Sequence, residues 1–149
     1  MSPELIDKLN NKHRLIFENI FPADVGDGWY NILDMLFTGI ASHLKQLKEN
    51  YVYEVRLGAT NVDMPDETIR IMQIKEKFGS LRIYSSTVDL YMSGLVNMAE
   101  LMSMVTCEEC GNPGELKTTN GWVKCLCNEH RMAEALDAPA SFMNDKSIM

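Results

Sequence analysis

The segment CEECGNPGELKTTNGWVKCLCNEH, residues 107–130, holds all four cysteines of the chain and one of its three histidines. Cys107 and Cys110 are separated by two residues, Cys127 and His130 by two more, and sixteen residues lie between the pairs. Two donors three positions apart on a tight turn can face one ion, and two such pairs complete a tetrahedron, an arrangement typical of zinc. Gly111 and Gly114 allow the backbone of a knuckle around the first pair. Asn120–Gly121 marks a tight turn between LKTT and WVKCL, so a small hairpin joins the pairs, and the second pair opens a final helix. The expected ligands are Cys107, Cys110, Cys127 and His130. Cys125 is a fifth candidate, because on a continuous strand it would share a face with Cys127. Coordination by four cysteines, with Cys125 in place of His130, is the alternative.

Knuckle, hairpin and ligand-bearing helix, in that order, are similar to a treble-clef zinc finger. A catalytic zinc keeps three protein ligands and an open position, whereas this segment supplies four donors with a fifth in reserve. His130 is followed by Arg131 and Met132, not by the H-x-E of a zinc deaminase, and the chain has no HExxH. A redox C-x-x-C of thioredoxin type needs a βαβ setting that the flanking sequence does not offer. The acidic residues are scattered, with no pair that reads as a general acid and base. One structural zinc in a protein that is not an enzyme is the expectation.

Upstream, IKEKFGSLRIY (residues 74–84) predicts a hairpin, with strands at about 69–76 and 81–86 and a turn at Phe78–Gly79–Ser80. Helix competes for its first half, because Lys, Glu, Gln and Met favour helices. In a hairpin Lys75 and Lys77 share one face, and Arg82 lies near them across the turn. Together with Phe78 and Tyr84 they form a set of cations and rings suited to a phosphate-bearing nucleotide or an acidic protein surface. Lys75, Lys77, Phe78, Arg82 and Tyr84 are therefore the candidate contacts. The plainer reading is a solvated hairpin whose Phe78 and Leu81 plug the core.

The remaining pattern sets these segments in an α+β plan. Leu5, Leu9, Ile16 and Ile20 predict a helix over 4–20, broken by Pro22 and Gly26–Asp27–Gly28. Leu33, Leu36, Phe37, Ile40, Leu44 and Leu47 predict a second helix from about Trp29 to Lys48. YVYEVRL (51–57) reads as a strand. Residues 88–105 return to helix, with Tyr91, Leu95, Met98, Met102 and Val105 on one face. A short helix follows the cysteine segment and ends at Pro139. His13 and His43 read as ordinary helix residues and Trp29 and Tyr30 as anchors of a helix to its core; many of the eleven methionines fall on the apolar stripes, which favours core filling over a promiscuous binding surface. The expected architecture is helices packed on a small antiparallel sheet (1–105), a zinc module (106–137) and a loose tail (138–149).

A chain of 149 residues with 46% hydrophobic and 23% charged residues can bury one domain's core. Its net charge of −7 disfavours a general nucleic-acid binder, which needs clustered Lys and Arg. MSPELIDKLNNKHRLIF lacks the basic and apolar regions of a signal peptide, and no apolar run approaches the roughly 18 residues of a membrane span. The expectation is a cytoplasmic protein with reduced thiols.

Taken together, GWYNILDML, IKEKFGSLRIY, NMAELMS and CEECGNPG…GWVKCLC resemble a group of small bacteriophage- and prophage-encoded proteins. These share a KEKFG-x-LR segment, a helix and a terminal C-x2-C-G-x-P-G…GW…LC-x2-C/H module. The resemblance covers roughly residues 28–135. In that pattern the position of Cys125 is commonly not cysteine, which implies that Cys125 is not a ligand. The resemblance implies an accessory protein in a bacterial host's cytoplasm and supplies no reaction. It suggests a protein that binds and neutralises a host factor, either an antiviral-defence protein or its nucleotide signal. A nucleic-acid-binding zinc finger is the rival expectation, although Lys117, Lys124 and Arg131 stand against Glu108, Glu109, Glu115 and Glu129 in the module.

Overall fold

The structure is a computed structural model and describes residues 1–19, 21–86, 89–119 and 121–137. Ile20 of the first expected helix, Val88 at the start of the third, Asn120 of the second turn and the expected tail at 138–149, with its helix stop at Pro139, lie outside these residues.

Helix α1 (Pro3–Lys12) opens with proline in its first turn, where a missing N–H costs nothing. It stops well short of the expected end at residue 20. His13 turns into the core, where it is buried with Nε2 2.8 Å from Asp34 Oδ1. The following turns carry Phe17 to a bridge with Ile69. Leu9 and Ile16 are both buried, as their spacing predicted, but only Leu9 is helical. Strand β1 (Ala23–Asp24) and a 3-10 turn (Asp27–Trp29) then lead into helix α2 (Tyr30–Arg56).

Helix α2 has 27 residues and is about 40 Å long. Ile32, Leu33, Leu36, Phe37, Ile40 and Leu44 are buried along it. The strand expected over 51–57 is instead its last turns. β-branched and aromatic residues favour a strand only beside a pleated surface. Among the described residues no strand pairs with this segment, and helix elongation satisfies each N–H without one. Val52, Tyr53 and Val55 remain exposed there.

Strands β2 (Ile71–Lys77) and β3 (Ser80–Ser85) form the expected hairpin, with a tighter turn. Phe78 and Gly79 both have positive φ, 54° and 75°, as a two-residue turn matching the strand twist requires. The sheet order is β1-β2-β3 with β1 parallel to β2, so the sheet is mixed and not purely antiparallel. A two-residue strand is too short to leave a pattern in the sequence.

Asp89 caps helix α3 (Leu90–Ser103) by accepting the Met92 N–H at 2.8 Å. The face expected inside is largely outside. Met92, Ala99 and Ser103 are buried, whereas Tyr91, Met98, Met102 and Val105 are exposed and Leu95 is half-buried. The reason lies at the sheet edge. Ala99 and Ser103 let the helix come close to β3, where Ser103 Oγ accepts the Leu81 N–H at 2.8 Å and Glu100 Oε1 the Ile83 N–H at 3.2 Å. Two outward N–H groups of an edge strand are thereby satisfied. Exposure of Met35, Met64, Met72, Met98, Met102 and Met132 likewise overturns core filling as the role of most methionines.

Strands β4 (Glu115–Thr119) and β5 (Trp122–Leu126) form a second, two-stranded sheet, and helix α4 (Asn128–Asp137) follows. The architecture is thus mixed helix with two small sheets. The core joins Phe21 and Phe37, with ring centroids 5.5 Å apart, to Trp29, Leu33, Ile40, Ile69, Ile74 and Leu81. Among the described residues no helix is long and apolar enough to cross a membrane.

Candidate metal centre

The first pair of donors sits on a knuckle between α3 and β4. Its backbone is closed by hydrogen bonds from Cys107 N–H to Asn112 O (2.7 Å) and from Gly111 N–H to Cys107 O (2.9 Å). Gly111 takes φ +77°, which a side chain resists. Gly114 is needed for space, since a Cβ there would lie 2.8 Å from Cys107 N. The second pair lies where β5 ends and α4 begins. Thr119 pairs with Trp122, and Gly121 between them has φ +82°, so the hairpin turns tightly enough to return Cys127 to the knuckle.

The four expected donors, Cys107, Cys110, Cys127 and His130, converge, with their ligand atoms all within 4.8 Å of one another. Cys110 Sγ is 3.8 Å from Cys127 Sγ, and His130 Nδ1 is 3.6 Å from Cys107 Sγ and 3.2 Å from Cys127 Sγ. A tetrahedral zinc with ordinary bond lengths sets S···S at about 3.8 Å and S···N at about 3.6 Å. The residues therefore fit one metal ion, with the Cys127–His130 contact opening by a few tenths of an ångström and the wider pairs, up to 4.8 Å, closing on the ion. Cys125 is not in this group. Strand β5 ends at Leu126, and Cys125 is turned into the core and fully buried.

The protons on these sulfurs follow their surroundings. Cys127 is drawn below the ordinary thiol value, first by the backbone N–H of His130, and further by hydrogen bonds with Cys107 and Cys110. Cys110 is raised. The Asn112 N–H favours its thiolate, but desolvation and the thiols of Cys107 and Cys127 outweigh that. A cation held by these donors would displace the thiol protons. Cys125 is pushed up to about 11, chiefly by burial, and stays a neutral thiol.

The knuckle is held against the rest of the molecule by residues that the sequence marked only as a helix break. Gly28 N–H donates to Glu108 O at 2.7 Å, and Gly26 N–H to the Glu108 carboxylate at 2.9 Å. A Cβ on Gly28 would lie 2.3 Å from Cys107 O, and one on Gly26 2.3 Å from Glu108 O. Burial raises the Glu108 carboxyl above its ordinary value against the pull of the Gly26 N–H. Trp29 is fully buried and donates from Nε1 to Thr106 O at 2.9 Å, so it anchors α2 to the start of the knuckle as well as to the core. The signal in the sequence was the pair of glycines flanking Asp27, just before a tryptophan.

The β2–β3 hairpin also meets this region. A Cβ on Gly79 would lie 2.5 Å from Leu116 Cδ2 and 3.2 Å from the Lys124 backbone, so the turn rests on the β4–β5 sheet. The strand register places Lys75 opposite Arg82 and Gln73 opposite Tyr84, hence on one face of the ribbon. Lys75 Nζ lies 5.4 Å from the Tyr84 ring centroid and Lys77 Nζ 5.5 Å from that of Phe78. Arg82 Nη1 donates to Leu81 O at 2.7 Å and is 3.6 Å from Glu100 Oε2. Leu81 is buried, but Phe78 is 73% exposed, so Phe78 does not plug the core. Tyr84 lines a shallow cleft with Met72, Ser93, Asn97 and Glu100.

No family model, curated protein or solved structure matches this chain.

Proposed function

We propose that the protein is a non-enzymatic binding protein in which one structural zinc fastens a treble-clef-like C-terminal module to an α+β body. Its β2–β3 hairpin then serves as the contact surface. Three thiolates and an imidazole at tetrahedral spacing suit zinc better than the oxygen-seeking ions. With four protein donors, the ion has no open position for a reacting water, which favours a structural role. The zinc would be held by Cys107, Cys110, Cys127 and His130, and it would bind the knuckle, the hairpin and α4 to one another. The knuckle, the β4–β5 hairpin and the helix carrying the last donor supply the treble-clef order.

The observation that carries the binding role is the hairpin's outer face. Lys75 and Arg82 stand side by side there, and Lys77 and the rings of Phe78 and Tyr84 adjoin them. An exposed aromatic at a turn, flanked by cations, fits an acidic or phosphate-bearing partner. The choice of partner rests on the resemblance to phage accessory proteins, which favours a host antiviral-defence protein or its nucleotide signal in the bacterial cytoplasm.

Native mass spectrometry of protein purified from bacterial cells without chelator tests both parts. One zinc per chain together with a bound nucleotide mass or a co-purifying host protein is the expected result. A chain that carries no metal after gentle purification refutes the structural zinc. Loss of every co-purifying mass from the zinc-loaded protein refutes tight capture.

A further inference from the structure

We infer that the outer face of α3 pairs with the same face of a second copy of this chain, in an antiparallel two-fold arrangement centred on Met98. Tyr91, Gly94, Met98, Leu101 and Val105 step by three, four, three and four along the helix and its last turn. This is the a/d spacing of a helix–helix seam. All five are exposed, as are Leu90 and Met102 beside them. Glu100 is the single charged residue of α3, and it turns away from the seam to cap β3. A helix apolar on nearly every side is normally covered on every side.

The uncovered area is large enough for a specific contact. Scaling each exposed fraction by a side-chain area of about 150–200 Å² gives roughly 550–750 Å² per copy, within the lower part of the range for one side of a standard interface. Met35 of α2 extends the strip, because it borders a cleft of about 350 Å³ shared with Leu36, Leu95, Met98 and Met102. Isolated monomers rarely leave a contiguous apolar patch of this size open.

The seam's own pattern argues for a second copy as its occupant. Its five residues carry no charge, and the ionic pair beside it, His43 with Asp89, adjoins only the Tyr91 end, where His43 stacks on the Tyr91 ring, so recognition along the seam rests on shape. The shape is self-complementary about Met98. Reversing the helix on a two-fold axis there places Tyr91 opposite Val105 of the second copy and Gly94 opposite its Leu101 and Met102. A Cβ on Gly94 would meet nothing within 4 Å, so the backbone there is open to an approaching side chain. Glycine inside an exposed helix costs about 1 kcal/mol relative to alanine, and close approach of a second helix is a reason for its presence. A net charge of −7 makes two copies repel in general, so a contact between them must run through an uncharged strip such as this one. This inference does not depend on the hairpin's role.

Sedimentation velocity of the metal-loaded full chain, from about 1 to 100 µM, reads the assembly directly. A dimer is expected, and Leu101→Glu should weaken it at least about 10-fold while leaving circular dichroism and metal content unchanged. Met98→Cys, on the two-fold axis, should cross-link two copies under mild oxidation, because a bridge needs Cα atoms no more than about 7 Å apart. Ser93→Cys, on the opposite flank of the helix, should not. A chain that stays monomeric at about 100 µM overturns the inference. So does a dimer that survives Leu101→Glu, or one that cross-links as well through Ser93→Cys as through Met98→Cys.

Discussion

The backbone N–H of Gly28 donates to the carbonyl oxygen of Glu108 at 2.7 Å, so the turn entering α2 is bonded directly to the residue after the first metal-site cysteine. The contact is backbone to backbone and leaves no room for a side chain, since a Cβ on Gly28 would sit 2.5 Å from Gly111 N. Gly28→Ala must therefore push the knuckle away. Overpacking of this kind costs about 1–3 kcal/mol, and more where the obstacle is backbone. The expected outcome is a lowered Tm together with faster loss of metal to a chelator. Unchanged release would mean that the knuckle holds its ion independently of the body.

Metal removal should be visible from Trp29. Its ring is fully buried and bonded to Thr106 O, one residue before Cys107, whereas Trp122 is already 74% exposed. In a Trp122→Phe background the emission reports Trp29 alone. Metal binding in such modules is worth about 10–16 kcal/mol and is also folding energy. Chelation should thus disorder the knuckle and the β4–β5 hairpin and shift Trp29 emission to the red. An unshifted spectrum in a metal-free sample would show that the body closes over Trp29 without the ion.

How far these features were readable depended on how local their causes are. The four donors were legible because ligand pairs three positions apart are set by short-range geometry, and FG between two β-rich runs likewise marked the hairpin. The end of α2 was not, because Val52, Tyr53 and Val55 favour a strand that has no neighbour to pair with among the described residues. The inward face of α3 was hidden by a helix apolar nearly all round, so periodicity could not choose between Met92–Ala99–Ser103 and Tyr91–Met98–Met102. Close approach to β3 decided it. Gly26 and Gly28 looked like punctuation because the backbone they accommodate comes from residues 107–111, which no local pattern links to them.

Cys125 and His130 separate packing from ligation. Cys125→Ala should keep one metal per chain and lose stability by about 1–2 kcal/mol, the scale of a small core truncation. His130→Ala removes a donor from a closed site and should lower metal affinity by orders of magnitude. Metal titration of both variants checks the assignment. A Cys125→Ala chain that no longer binds metal would restore the four-cysteine alternative.

Asp34 gives the fold a dependence on acid. Burial opposes its charge, but the hydrogen bonds and charges of Lys12 and His13 outweigh burial and hold its carboxyl below the ordinary value. A depressed carboxyl contributes stability that is complete above the unfolded value and lost as pH falls through the folded one. Asp34→Asn should cost roughly 1–3 kcal/mol near pH 7, because His13 is buried against it. Urea unfolding of both chains should show the gap narrowing below about pH 4. Metal loss in acid affects both chains alike, so a gap that widens instead would assign the stabilisation to another group.

The charges of the hairpin face are gathered by strand register. Lys75 and Arg82 are cross-strand neighbours whose side chains leave the same face, while Ile74 and Ile83 on the other face are buried in the core. Changing Lys75, Lys77 and Arg82 together to glutamine removes three charges and no core contact. The fold should survive with a small loss, because the Arg82–Glu100 contact at 3.6 Å is partly exposed and such pairs are worth about 0–1 kcal/mol. Hydrogen bonds to charged groups are worth about 1.5–3 kcal/mol each, so capture of an acidic or phosphate-bearing partner should weaken by more than about 100-fold. Phe78→Ala tests the ring separately, since that side chain is exposed and its loss leaves no cavity. If the triple variant folds, keeps its metal and still retains the partner seen in native mass spectra, the contact surface lies elsewhere on the molecule.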